Sequence, residues 1–284
     1  MADVPLKEII EPLNAKGDDL KRLADNGNKR IEVLDELRGA CLLLMIAFHA
    51  FYLFGTRFQF FQQAAARLYE TLLPAQPAVA ALFILISGYS MRLSENPKLR
   101  AALLTAAAVG VSFATIWALP RVGILGMGVW FGILHMLACS KWLFVFGQKL
   151  FDKIPSLIGL GLSMFLFFFT ASISNGYVGV PYLRLFVLPQ EWYHSNVLAF
   201  LGIHNSNFYS WDYFPLLPYF FVFLFGAYAG KAVKRDSFPD FCYNKHMKLF
   251  GGMGKHSLLV YLLHLPALYG LGLLLQQIAN KLAK

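Results

Sequence analysis

The sequence predicts an all-α fold: a polytopic transmembrane helical bundle of about seven spans. Three observations predict it. Of the 284 residues, 57% are apolar and 14% charged, with 27 Phe among them, whereas soluble domains carry roughly 45–50% apolar and about 25% charged residues. Apolar runs of nearly twenty residues, the length that crosses about 30 Å of hydrocarbon, recur along the chain. Lys and Arg gather between those runs, and nineteen of the twenty-five fall on one side when seven spans alternate. That asymmetry is the positive-inside pattern of membrane topology, and it accounts for the net charge of +9 without nucleic acid.

Taken in order, residues 1–30 form a polar cytoplasmic arm, "KEIIEPLNAKGDDLKRLADNGNKR", in which "NGN" ends a short amphipathic helix. The arm is too polar for a cleavable signal peptide, so the first span is expected to be retained. Residues 31–284 form the membrane-embedded domain, with spans at 37–54, 77–93, 101–119, 124–140, 155–172, 214–230 and 257–277. "GILGMG" is a flexible lead-in to the fourth. Arg92, Lys98 and Arg100 follow the second span, Lys141, Lys149 and Lys153 the fourth, and Lys231, Lys234, Arg235, Lys245, Lys248 and Lys255 the sixth. The amino terminus is therefore expected in the cytoplasm and the carboxyl terminus outside, in a plasma membrane. Residues 173–213 read as an outside loop. Its 180–203 portion is an interfacial or re-entrant piece, or an eighth span, because Pro189, Glu191 and His194 interrupt its apolar run.

The first span, "LDELRGACLLLMIAFHAFYLF", holds Arg38 at its start and His49 further along. Eleven positions are about three turns, so both side chains share one face, roughly 16 Å apart along the axis. Asp35, one turn before Arg38, can pair with it. An arginine at a span end serves equally as a headgroup anchor. A histidine deep in lipid is costly unless it faces a polar cavity or is fully hydrogen-bonded. Other ionisable groups at informative places are Arg92 and Lys255 at predicted cytoplasmic span ends, His135 and His264 inside apolar runs, and Asp212 at the outside mouth of the sixth span.

Other chemistries find little support. Cys41, Cys139 and Cys242 are scattered, with no disulfide framework. No HxxxH or HExxH appears, so no metal is expected. "GGMGKHS" lacks the first glycine and the terminal Ser/Thr of a phosphate loop. No repeat of broken helices marks a repeat-built transporter.

The opening "LDELRGACLLLMIAFH" resembles the Arg-x10-His start of membrane acyltransferases that carry acyl groups from cytosolic acyl-CoA to extracytoplasmic sugars. From residue 30 onwards the chain resembles the heparan-α-glucosaminide N-acetyltransferase catalytic-domain family, through "LFILISGYSMRLS", "FGILHMLACS", "WDYFPLLPYFFVFLFG" and "GKHSLLVYLLHLP" in that order. The lysosomal enzyme that names the family is thought to use a histidine in its first luminal loop. The matching segment here, "GTRFQFFQQAAARLYETLLPAQP", has none, and the catalytic role passes by inference to His49.

The resemblance implies an acetyl-CoA-dependent N- or O-acetyltransferase acting on an amino or hydroxyl group of a saccharide or glycolipid. Arg38, Arg92 and Lys255 would hold the anionic donor. His49 would act as base or as acylated nucleophile. His135 and His264 would relay protons or donate to the thioester carbonyl, and Asp212 would orient the acceptor or His49. A lipid-linked sugar transporter or flippase is the alternative, a non-catalytic scaffold the third reading, and a homodimer is left open as the assembly.

Overall fold

The computed structural model describes residues 30–233 and 237–282. The polar arm up to residue 29 lies outside the described residues, as do Lys234 and Arg235. Among the described residues nine principal helices make the bundle: α1 Glu32–Tyr52, α2 Gln62–Leu72, α3 Gln76–Arg92, α4 Pro97–Phe113, α5 Ile133–Lys153, α6 Ser156–Thr170, α7 Leu216–Ala232, α8 Lys248–Lys255 and α9 Ser257–Leu282. π-Helical turns extend α1 to Arg57 and carry α4 on towards Arg121. The molecule is mostly helical, as its runs of Leu, Ala, Phe and Gly require in lipid, where every backbone polar group must be satisfied within its own segment.

Among the described residues, five stretches are long and apolar enough to cross a membrane: Glu32–Arg57, Gln62–Arg92, Pro97–Arg121, Ser156–Asn175 and Ser257–Leu282. The protein is therefore membrane-embedded. The remaining two expected spans differ from the sequence reading. Helix α7 is apolar but has 17 residues, about 26 Å of rise. Helix α5 has 21 residues but begins at Ile133 and ends at Lys153, displaced towards the carboxyl end from the expected 124–140. Gly123 and Gly126, at φ +81° and +80°, turn the chain where an apolar run alone suggested helix. Lys141 consequently sits inside α5 rather than in a loop after it.

The 173–213 segment contains no helix of spanning length. It folds as a two-stranded antiparallel hairpin, β1 Tyr177–Val180 and β2 Leu183–Val187, followed by 3₁₀ turns. Pro189 precedes the turn at Gln190–His194, consistent with the interruption seen in the sequence. Residues 180–203 thus form an irregular cap rather than an eighth span.

The core lies among α3, α5 and α7, where Ile84, Met136 and Phe223 have no measurable exposure. Small residues set the helix spacing, as they do where membrane helices pack backbone against backbone. A Cβ on Gly88 of α3 would stand 1.9 Å from the Phe223 carbonyl oxygen of α7. Gly88→Val should therefore cost about 1–3 kcal/mol or more through overpacking, read as a lowered thermal midpoint of the detergent-solubilised protein. A Cβ on Gly254 of α8 would stand 1.8 Å from the Asp35 carbonyl oxygen of α1. That close approach brings Lys255 against the start of α1. Glu36 completes the joint, its Oε1 accepting from the His246 and Met247 N–H groups at 2.7 and 2.8 Å.

Candidate active site

One face of α1 organises the site. Arg38 lines a basic cavity, Cys41, Leu42 and Met45 line a narrow neck, and His49 and Tyr52 line an aromatic cavity beyond it. The spacings i, i+3/4, i+7, i+11 and i+14 are those of a single helical face. The basic cavity holds about 340 Å³, the neck about 80 Å³ and the aromatic cavity about 440 Å³. Phe83 and Tyr261 belong to the walls of both the basic cavity and the neck. His49 and Asp212 belong to the walls of both the neck and the aromatic cavity. The three spaces therefore neighbour one another along α1.

At the basic end, Arg38 donates from Nη1 to Asp35 Oδ1 at 2.9 Å and from Nη2 to Ser90 Oγ at 2.6 Å. Arg30 also pairs with Asp35. Lys255 Nζ reaches Glu32 Oε1 at 2.9 Å. Arg30, Arg38, Arg100, Lys141 and Lys255 all line this cavity, giving five cations around one space. Opposed to them are buried Asp35 and Glu32, which hold Arg38 and Lys255 in place while leaving a positive surplus. Such a chamber fits phosphate groups.

Arg92 does not join this group. It pairs with Asp152 at 2.5 Å, tying α3 to α5 beside Lys231, whose Nζ donates to the Asp152 and Ile154 carbonyls at 2.8 Å each. Helical rotation takes it away: Arg92 is two positions beyond Ser90, about 200° around α3.

At the other end, His49 Nδ1 lies 2.9 Å from the Met45 carbonyl oxygen. A carbonyl can only accept, so Nδ1 carries the proton and the Nε2 lone pair is left to act as a base. The buried ring of His264 stands edge-on to His49, with centroids 5.2 Å apart and planes at 78°. His264 Nδ1 bonds the Tyr261 carbonyl oxygen, and its buried Nε2 has no hydrogen-bond partner among the described residues.

Asp212 arrives from the segment before α7. Its Oδ2 accepts from the Tyr261 hydroxyl and from the Ile133 N–H at 3.3 Å. That N–H opens α5, so the carboxylate sits at a helix amino terminus, where an anion is favoured. Burial pushes the Asp212 carboxyl above the ordinary carboxylate range, while Tyr261, the His49 charge and the Ile133 N–H pull it back down. Ser210 fixes the segment, accepting from the Trp130 and Phe131 N–H groups at 3.1 and 3.3 Å.

His135 stands apart. Ser112 gives its hydroxyl proton to the Val129 carbonyl at 2.7 Å and accepts from His135 Nε2 at 3.0 Å, while His135 Nδ1 accepts from the Gly132 N–H at 3.2 Å. Both ring nitrogens are satisfied, and the residue braces the turn before α5. His135→Ala should cost about 1–3 kcal/mol of stability by orphaning those partners. Thermal unfolding in detergent, together with an unchanged KM for the donor, would check this.

The sequence thus singled out Arg38, Lys255, His49, His264 and Asp212, which the structure brings to one path. It did not single out Lys141, Arg100, Arg30 or Tyr261. Once α5 is placed, Leu134, Leu137 and Lys141 share a face at i, i+3 and i+7 and line the basic cavity together. Tyr261 precedes His264 by one turn, a spacing that puts the two on the same side of α9. Among the described residues, no cluster of His, Cys, Asp and Glu has metal-holding geometry.

The site is a cationic chamber set along one helix face from a histidine and a carboxylate, within a helical membrane bundle. The chain belongs to the heparan-alpha-glucosaminide N-acetyltransferase catalytic family, whose model matches residues 30–266. It shares with that family the character of a transferase that modifies glycans. No curated protein and no solved structure matches the chain.

Proposed function

We propose that the protein moves an acetyl or short acyl group from cytosolic acyl-CoA to an amino or hydroxyl group of an extracytoplasmic sugar, across a bundle of seven membrane-crossing segments. The carrying observation is that a single face of α1 lines the basic cavity, the neck and the aromatic cavity in succession. In this reading α5 and α7 complete the seven, and the amino terminus is cytoplasmic.

The residues fit an acyl-CoA donor. Arg38, Arg30, Arg100, Lys141 and Lys255 would hold its phosphates in the basic cavity. The neck, walled largely by apolar side chains such as Leu42, Met45, Val79, Ala80 and Phe83, suits a slender thioester arm better than a phosphate. His49 takes the acceptor's proton at Nε2 as its nitrogen or oxygen attacks the thioester carbon, so that a C–N or C–O bond forms and C–S breaks. The departing thiolate recovers the proton from His49. His264 packs edge-on against the His49 ring and positions it. Arg92 acts as a brace between α3 and α5.

Proteoliposomes holding the purified protein, loaded with a sugar and given external acetyl-labelled acetyl-CoA, test the reading. The expected result is label covalently attached to the enclosed sugar. Movement of the sugar with no label on it would instead identify a transporter and overturn the proposal.

A further inference from the structure

The hairpin that opens the cap lies away from the path along α1, and its composition is wrong for water. Strand β1 packs on α6, with Tyr177 and Gly179 buried. Strand β2, "LRLFV", is exposed at all five positions. Four of the five residues are apolar, and Leu183, Phe186 and Val187 are 59%, 66% and 72% exposed. A strand with one face on the protein and one in water would alternate apolar with polar residues. Here Phe186 and Val187 are successive, so they point to opposite faces, and both faces are apolar. Across the ladder Leu183 pairs with Val180, Phe186 with Val178 and Val187 with Tyr177. Tyr182, in the turn, is fully exposed.

The place of the hairpin indicates what covers these side chains. The spanning stretch Ser156–Asn175 has 20 residues, about 30 Å of rise, so it ends where the hydrocarbon ends. Strand β1 begins two residues later, at Tyr177. Below it, Leu157, Ile158, Leu162, Phe165 and Phe168 of α6 are exposed and make a lipid-facing surface that runs up to the hairpin. Arg184 stands among the apolar residues with its guanidinium 4.9 Å from the centre of the Tyr177 ring, a charged head that lipid phosphate complements. Among the described residues β2 has a strand on one side only. The backbone groups of its other edge need water, so the strand belongs among the headgroups and not in the hydrocarbon. A second copy fits less well. A strand of five residues offers far less than the roughly 1,000 Å² that a specific protein interface takes, and edge pairing would leave both apolar faces uncovered.

We infer that the hairpin is a lipid-binding anchor: Tyr182, Leu183, Phe186 and Val187 enter the boundary between headgroups and acyl chains at this end of α6, and Arg184 meets lipid phosphate. The anchor ties the cap to the bilayer at its start. Within the cap, the Tyr193 hydroxyl donates to the Ile173 carbonyl and the Tyr213 hydroxyl to the Ala199 carbonyl, so the segment that ends in Asp212 is braced from the same end. The inference is independent of the acyltransfer reading.

The experiment places a nitroxide at Leu183→Cys or Phe186→Cys in the full-length protein, in phosphatidylcholine nanodiscs large enough for two copies. Cys41 and Cys242 are buried, and the parent protein carried through the same labelling supplies the background. Both labels should collide with oxygen in preference to a water-soluble nickel chelate, at a depth of about 5–10 Å below the lipid phosphates. Phe186→Trp, read against the parent, gives the depth without thiol chemistry, and its added fluorescence should be quenched by lipids brominated near the top of the acyl chain. Preferential collision with the chelate, or fluorescence that brominated lipid leaves unchanged, overturns the inference. Dipolar broadening between labels on two chains overturns it as well, because a second copy would then cover the strand.

Discussion

On the acyltransfer reading, His49→Ala should cripple acetyl transfer while the protein still inserts, folds and binds acyl-CoA. The expected loss is about 10²–10⁴-fold in kcat, the range contributed by a positioned general base. Larger losses follow if the imidazole is itself acylated. Folding should survive because His49 contributes one local hydrogen bond, to the Met45 carbonyl of its own helix. That carbonyl also takes part in the helical ladder, so it is not left orphaned. Steady-state transfer, with donor binding and thermal midpoint as controls, measures the effect. Unchanged kcat in a well-folded variant would remove His49 from the mechanism. His49→Gln keeps a hydrogen-bonding side chain without a basic lone pair, and should be as inactive as the alanine variant.

Arg38→Gln raises the KM for acetyl-CoA about tenfold or more, with a smaller effect on kcat. Charge-assisted hydrogen bonds are worth about 1.5–3 kcal/mol, and four other cations remain in the cavity to absorb part of the loss. The diagnostic comparison uses S-acetyl-pantetheine, which has the thioester arm but no phosphates. Its KM should be the same for the variant and the parent. An equal rise for both donors would show that Arg38 shapes the bundle instead of gripping an anion. Asp35 keeps Arg30 as a partner in the variant, so the substitution does not strand a buried carboxylate.

How much of this was legible in the sequence depended on the length scale. Helices α1 and α9 were readable because long apolar runs have few other solutions in lipid. The Arg38–His49 face was readable because both lie on one uninterrupted helix, where periodicity alone fixes orientation. Helix α5 was misplaced because apolarity does not distinguish helix from the glycine-turned segment 122–132, and φ values of +81° and +80° at Gly123 and Gly126 are tertiary facts. That shift hid Lys141, which looked like a loop anchor and proves to line the basic cavity. Arg92 and His135 illustrate a different limit. Their places along the chain were right, but rotation about α3 and a local turn around Ser112 gave them structural partners. The Tyr261–Asp212 link joins residues 49 positions apart, and no local pattern announces such a contact.

The small volume of the neck has a bearing on the cell that houses this protein. A ligand route through a bilayer threatens to become a leak for protons and ions. A space of about 80 Å³ with Leu42, Met45, Val79, Ala80 and Phe83 in its wall is a poor host for hydrated charge. If acyl transfer follows this path, as proposed above, the membrane can remain an electrical insulator during the reaction, and the width of that space sets how bulky an acyl group can be delivered.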